Sequence, residues 1–214
     1  NIVTIEDPIE YNKRYVNQSQ INVQAGITFS SGLRALLRQD PNIIMVGEIR
    51  DKDTANISVQ ASLTGHLLIS SLHTNDAPTA IPRLFDLEIP PFLVSSTLNL
   101  IVAQRLVRRI CNSCLYSYEL EEGVKKTIAD ELTKLGAPAT AMPKLFYRGK
   151  GCATCGGTGY RGRLGIFEVL EVTDSIRQLM ASSEFTLDKL REEAKKAGMD
   201  GMFEDGLKKV ELAI

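Results

Sequence analysis

The chain opens as a series of short apolar runs that each end in a polar cluster. Ile2-Val3-Thr4-Ile5 stops at Glu6-Asp7-Pro8-Ile9-Glu10, which predicts a buried strand over residues 2–6. Residues 12–27 are polar, with one alternating stretch at Ile21-Asn22-Val23, and predict a loop or short hairpin. Leu33, Leu36 and Leu37 share one helical face behind Ser30 or Ser31 as cap, and this helix must stop at Asp40-Pro41. Ile43-Ile44-Met45-Val46 then leads into Gly47-Glu48, the continuous apolar pattern of a strand covered on both faces of a parallel sheet. Residues 52–64 predict a helix closed by Gly65. Leu67 to Leu72 predicts another strand, ending at His73-Thr74-Asn75-Asp76, and Asp76 caps a helix to about Asp86 with Pro78 near its first turn. Residues 92–109 predict a longer helix carrying Arg105, Arg108 and Arg109. Strands alternating with helices up to about residue 86 define an α/β fold with a parallel sheet.

Beyond that point the pattern changes. Residues 111–163 hold four cysteines and predict one helix near 121–135. Leu164 to Val172 alternates as a strand does. Three charged, amphipathic segments at about 174–182, 186–197 and 201–212 predict a small helical cap. The expected organisation is therefore a core over residues 1–110, a cysteine-bearing subdomain over 111–163, and a strand plus helical region over 164–214.

Composition narrows the function classes. At 214 residues and 43% hydrophobic the chain can bury a sizeable core, and a net charge of −1 disfavours a nucleic-acid-coating protein. No apolar run is long enough to span a bilayer. The first residues have no Met and drop at once into a strand pattern, the expectation for a piece of a longer protein. The cysteines fall as Cys111-x2-Cys114 and Cys152-x2-Cys155, two knuckles whose four thiolates suit a tetrahedral, structural Zn²⁺; two redox pairs or four unliganded thiols are the other readings. All three fit a cytosolic setting better than a secreted one.

In an open α/β sheet, ligands gather outside the carboxyl ends of the strands. Three strands here end in polar groups: Glu6, Asp7 and Glu10; Glu48, Arg50 and Asp51; and His73 to Asp76, with His66 at the start of that third strand. If the strands are parallel neighbours, their ends converge on one crevice. An acid after four apolar residues and a glycine is how a Walker B strand presents a carboxylate to Mg²⁺ or to an attacking water, although many parallel strands also end in a surface acid. Gly157-x-Gly159-x-x-Gly162 fits a dinucleotide fingerprint in letters only. It follows Cys155 and precedes a strand, so its glycines fit tight folding around a metal knuckle. Arg105, Arg108, Arg109, Arg161 and Arg163 offer either a basic face for a partner or an anionic membrane surface, or solubility and pairing with Glu119, Glu121 and Glu122.

The stretches IVTIEDPIEY, LRALLRQDPNIIMVGEIRD and TGHLLISSLHTNDA resemble the Asp box, Walker B and His box of the motor ATPases of type II secretion and type IV pili, in the right order and over essentially the whole chain. CNSC followed by CATCGGTGYRGRLGIFEVL resembles the zinc-binding subdomain of the assembly branch of that superfamily. The resemblance implies the carboxyl-terminal part of a RecA-like P-loop ATPase domain with a tetracysteine zinc-binding subdomain and a small helical carboxyl-terminal region. It implies catalytic roles for Glu10, Glu48 and Glu6. Nucleotide contacts fall to Asp7, Arg50, His66 and His73, and zinc ligation to Cys111, Cys114, Cys152 and Cys155. For the intact protein it implies Mg²⁺ and ATP, a homo-hexamer, inner-membrane secretion or pilus platform proteins as partners, no nucleic acid, and a cytoplasmic place peripheral to a bacterial inner membrane. One departure stands out. No G-x-x-x-x-G-K-[ST] occurs in the 214 residues. The phosphate-gripping loop of this family lies upstream of the Asp box, so the isolated chain is expected to bind nucleotide feebly and to hydrolyse none. A rival reading rests on CATCGGTG, which resembles one repeat of the zinc modules of J-domain chaperones and implies a zinc-stabilised protein-binding module without catalysis. That reading leaves Glu10, Glu48 and His73 as ordinary surface groups.

Overall fold

The computed structural model describes residues 1–136 and 142–213. Residues 137–141, within the expected cysteine-bearing subdomain, and residue 214 lie outside the described residues. Two compact units form, one of residues 1–101 with 170–197 and one of residues 102–169 with 198–214.

The first unit is built on a four-stranded sheet. Its strands β1 (Ile2–Glu6), β2 (Asn17–Gln20), β3 (Ile43–Val46) and β4 (Leu67–Ser70) are ordered β2-β1-β3-β4, and every neighbouring pair is parallel. Val3, Ile5, Ile44 and Val46 have no exposed surface and share one face of the sheet. On the other face Thr4 is buried, but Ile43 and Met45 are half-buried and their β4 partners Leu67 and Ile69 are exposed, so the expectation of a strand covered on both faces is met fully on one face only. Ile5 pairs with Val46, and Val46 with Ser70. The carboxyl ends of β1, β3 and β4 are therefore level with one another.

Helix α1 (Phe29–Leu36) packs on β1 through Leu33 and Leu36. Its cap is Thr28, completed by Ser31 in a reciprocal capping box, one turn earlier than the serine expected. Gly32 allows the close approach, because a Cβ there would sit 2.0 Å from Ile5 Cδ1 and one of the two would have to shift. Helix α2 (Lys52–Leu63) is capped by Asp51, whose carboxylate accepts from Thr54 N and from the Thr54 hydroxyl, each at 2.8 Å. Helices α3 (Ala80–Asp86), α4 (Pro91–Thr97), α6 (Asp174–Ala181) and α7 (Leu187–Lys196) complete this unit, with Ile81, Val94, Ile176, Met180 and Leu190 in the core. Asp76 accepts from Thr79 N at 2.9 Å in the turn before the helix, but the helix starts at Ala80 behind Thr79, which makes no side-chain cap, so Asp76 closes the turn and is not the helix cap expected.

Two expectations are corrected. The polar run over residues 17–20 is a strand, because it lies at the sheet edge beside β1 and needs no buried side chains. The helix expected over 92–109 ends at Thr97, and residues Leu100–Ile110 form strand β5. Leu100-Ile101-Val102 favours a pleated backbone, and pairing with strand β8 (Tyr160–Glu171) supplies the ladder that an isolated helix would have had to provide for itself.

The second unit holds most of β5 and β8, the antiparallel pair β6 (Leu115–Tyr118) and β7 (Phe146–Gly149), helix α5 (Glu122–Lys134) and helix α8 (Met202–Glu211). Among its described residues the buried aliphatic side chains are Leu132, Pro143 and Leu207, joined by Cys111. That is a thin core for a loop-rich region, and it leaves room for a cross-link of another kind. Among the described residues no helix is long and apolar enough to cross a membrane.

Candidate functional site

The level strand ends carry the first candidate site. The parallel ladder continues past the strands: Gly47 N donates to Ile5 O at 2.8 Å and Ile49 N to Ser71 O at 3.0 Å. A Cβ at position 47 would lie 3.3 Å from Ile5 O and 3.4 Å from Glu6 Cα, so glycine lets the end of β3 close tightly against the end of β1. This fixes where the next residue points. The Glu48 side chain is only 11% exposed, and its Oε2 accepts from Arg50 Nε and lies 3.0 Å from His73 Nε2. Burial pushes this carboxyl up, and the hydrogen bonds and charge of Arg50 and His73 outweigh it, holding the group below its ordinary 4.5. Glu48 is therefore an ionised acid fixed at the carboxyl edge of a parallel sheet.

Glu6 sits at the same edge, where its Oε1 accepts from Thr4 Oγ1 and from Gln18 Nε2 at 2.8 Å. Asp7 and Glu10 follow in an exposed loop and have no hydrogen bond or ion pair among the described residues. Gln18 and Gln20 of β2 hold that loop. Gln18 accepts from Lys13 N at 2.6 Å and donates to Tyr11 O at 3.1 Å, while Gln20 accepts from Ile9 N at 3.3 Å. Sequence reasoning missed these two glutamines; their i, i+2 spacing in a polar run was the available signal. His66 is placed elsewhere. It precedes Leu67 at the amino end of β4, with Nδ1 3.0 Å from both Thr64 Oγ1 and Ala61 O. The structure thus brings Glu48, Arg50 and His73 into contact, sets Glu6 at their edge, leaves Asp7 and Glu10 open to solvent, and puts His66 at the opposite end of its strand.

The second candidate site is the cysteine cluster. The Sγ atoms of Cys111, Cys114, Cys152 and Cys155 all lie within 4.8 Å of one another, and the four are unpaired thiols. The Sγ–Sγ separations are 3.9 Å for Cys111–Cys152, 3.9 Å for Cys114–Cys155 and 3.8 Å for Cys152–Cys155. A tetrahedron of sulfurs about 2.3 Å from a central Zn²⁺ has edges of about 3.8 Å, so the donor set fits such an ion. Backbone amides point at the sulfurs: Cys152 N and Gly159 N each donate to Cys155 Sγ at 3.2 Å. The Cys152 amide is the largest influence on Cys155 and brings that thiol down to about 6, whereas burial pushes Cys114 up to about 11. A divalent cation would hold all four as thiolates. The glycines serve the knuckles: a Cβ at Gly149 would lie 2.2 Å from Gly159 O, and Gly159 itself has φ +76°.

The chain matches the type II/IV secretion system protein family over residues 1–214, and it belongs to that family. It is 45% identical over 210 residues to the type IV pilus assembly ATPase TfpB of Acinetobacter baylyi, covering 98% of this chain and 35% of that relative. It is 47% identical to the type IV pilus assembly ATPase PilB of Thermus thermophilus, covering 98% and 23%, and 46% identical to type II secretion system protein E of Pseudomonas aeruginosa, covering 98% and 40%. The chain thus spans between about a quarter and two fifths of these relatives. Among solved structures, the pilus retraction motor PilT with bound ADP matches with a TM-score of 0.64 at 27% identity, covering 99% of this chain and 48% of that one. The Legionella pneumophila ATPase DotB matches with a TM-score of 0.65 at 20% identity, covering 100% and 48%, a likeness of fold.

Proposed function

We propose that this chain is the carboxyl-terminal part of a RecA-like motor ATPase whose nucleotide edge is built by the ends of β1, β3 and β4. The observation that carries this reading is the ionised Glu48, held by Arg50 and His73 where three parallel strands end together. Family membership and the ADP seen in PilT support it. Bound Mg-ATP would supply the electrophilic phosphorus and the divalent charge. Glu48 would orient a water or accept its proton, because it is charged, aimed and too buried to swing away. Glu6 at the end of the neighbouring strand, and Asp7 and Glu10 in the loop after it, would present further carboxylate oxygens, and Arg50 and His73 would keep Glu48 in place and face the phosphates. His66 stands apart from this group and would reach nucleotide only by a separate contact.

The cysteine cluster would hold a structural Zn²⁺. Four protein thiolates leave no open position for a substrate water, so the ion would staple a unit with few buried aliphatic side chains. In the whole protein, which is a hexamer in this reading, hydrolysis would power type II secretion or type IV pilus assembly from the cytoplasmic face of a bacterial inner membrane, against platform proteins there. The 214 residues contain no phosphate-gripping loop. Purified alone they should turn over no ATP, and a longer polypeptide that joins them to such a loop should turn over ATP in the presence of Mg²⁺. Turnover by the 214-residue chain itself would contradict this. The rival reading, a zinc-stabilised protein-binding module, requires no function of Glu48 and predicts that neither polypeptide hydrolyses nucleotide.

A further inference from the structure

We propose that the cleft beside the first cysteine knuckle is a binding site for a phosphate group. This cleft, about 360 Å³ in volume, lies wholly in the cysteine-bearing unit and is walled by Arg109, Cys111, Asn112, Ser113, Arg161 and Gly162. The register of β5 and β8 explains why two arginines face it. Cys111 N donates to Gly159 O at 3.0 Å, and Val172 N donates to Asn99 O at 3.0 Å, so the residue numbers fall along one strand as they rise along the other. Two residues back from Cys111 and two on from Gly159, Arg109 and Arg161 come close across the two strands, and both wall the cleft; the second bond is offset from the first by one residue, so β8 carries one extra residue between the two bonds. Like charges that come close across an antiparallel pair repel.

Among the described residues no acidic side chain is paired with either arginine. Neither arginine has a hydrogen bond or ion pair among the described residues, and the same holds for the Asn112 and Ser113 side chains. Arg108, by contrast, is already committed, with its guanidinium 4.2 Å over the Tyr160 ring. No Asp or Glu occurs in residues 100–118 or 142–167, whereas Arg105, Arg108, Arg109, Lys144, Arg148, Lys150, Arg161 and Arg163 do. Basic side chains therefore outnumber acidic ones in the strands and loops that wall the cleft. Gly162 also lines the cleft. Its φ of +80° within β8 is the mark of a bulge, and a Cβ there would meet nothing within 4 Å. Two guanidinium forks, a hydroxyl and an amide around one concavity match the several acceptor oxygens of a phosphate better than the two of a carboxylate. The volume accommodates a diphosphate or a phosphodiester head group. The ligand is a phosphate-bearing anion, either soluble or carried by a lipid.

Calorimetric titration of the metal-loaded protein with inorganic pyrophosphate at low ionic strength tests this. The proposal expects binding that R109Q or R161Q weakens at least tenfold, that R109K and R161K weaken less, and that K126Q, an exposed lysine of α5, leaves unchanged. S113A, which keeps both charges, weakens binding severalfold and guards against a glutamine variant that fails to fold. Co-sedimentation with phosphatidylglycerol vesicles separates the sources. Vesicle binding that is lost in R109Q and R161Q and reversed by pyrophosphate assigns the site to a lipid head group; pyrophosphate binding without vesicle binding assigns it to a soluble anion. The proposal is overturned if pyrophosphate does not bind, or if it binds R109Q, R161Q and S113A as tightly as the parent. It is equally overturned if the arginine variants lose metal instead of anion affinity, since the arginines would then serve only to offset the thiolate charge.

Discussion

His73 Nε2 lies 3.0 Å from Glu48 Oε2 across 25 residues of sequence, and it does so because β3 and β4 are parallel and in register. The contact ties the end of one strand to the end of the next through the most buried acid at the sheet edge.

The pH dependence of stability follows from that acid. The folded-state carboxyl is held below its ordinary 4.5, so its stabilising contribution is fully present above that value and is lost as pH falls through the folded value. Stability of the parent should therefore decline below about pH 4.5, and E48Q should flatten part of that decline. Both partners are largely exposed, with Arg50 at 63% and His73 at 80%, so the loss in E48Q at neutral pH should be about 1 kcal/mol, not the several expected of a fully buried pair. Urea unfolding of both proteins between pH 3 and 7 measures this. An identical pH profile in the two would count against the arrangement.

Metal removal should act on one unit only. Structural tetrathiolate sites contribute apparent binding energies of about 10–16 kcal/mol, far more than the few buried aliphatic side chains of the cysteine-bearing unit can replace. A strong chelator should increase amide exchange over residues 111–134 and 146–163 and leave β1, β3 and β4 protected. One zinc per chain is expected by mass spectrometry of the native protein. Ready alkylation of all four cysteines in the metal-loaded native state would contradict the site.

Gly149→Ala tests the knuckle geometry without touching a ligand. The new Cβ would fall 2.2 Å from a backbone oxygen, Gly159 O, which cannot rotate away as a side chain can. The β7 and β8 segments would have to separate, pulling Cys152 and Cys155 from Cys111. The expected result is a loss of about 2 kcal/mol or more in stability and a marked fall in metal retention. Unchanged zinc content in G149A would show that the close approach is not needed.

Gly32→Ala pits two effects against each other. Replacing a mid-helix glycine gains about 1 kcal/mol in helix propensity. The added methyl, however, lands 2.0 Å from Ile5 Cδ1 in a close-packed core, and overpacking of this kind costs about 1–3 kcal/mol. A net destabilisation of about 1 kcal/mol is expected by denaturant titration, and Ile5→Val in the same chain should recover part of it. A stabilised G32A would mean that Ile5 has room to move.

Much of the first unit was legible because its signals are local. Ile43-Ile44-Met45-Val46 reads as a parallel-sheet strand whatever surrounds it, although the face carrying Ile43 and Met45 is only half-buried, and an acid after Gly47 reads as an acid at a strand end. The Cys111, Cys114, Cys152 and Cys155 spacing likewise foretold a cluster that the fold assembles within 4.8 Å. What the pattern hid was non-local. Asn17-Gln18-Ser19-Gln20 has no apolar face, and it is a strand only because the edge of β1 supplies its hydrogen bonds. Leu100 to Ile110 has enough leucine and arginine to pass for a helix. The partner that makes it a strand, β8, begins 50 residues later. The Glu48–His73 contact depends on the register between two strands, which no single stretch of sequence encodes. The same is true of the approach of Arg109 to Arg161.

Glu48 acting at a nucleotide is what makes the strand edge a catalytic site. Its most direct test is the ATP turnover of a longer polypeptide joining these residues to a phosphate-binding loop, measured for the parent and for E48Q under saturating Mg-ATP. Removing a positioned general base typically costs about 10²–10⁴-fold, so a fall of at least 100-fold in kcat with nucleotide binding retained is predicted. Equal turnover in the two proteins would contradict the assignment of that edge as the catalytic site.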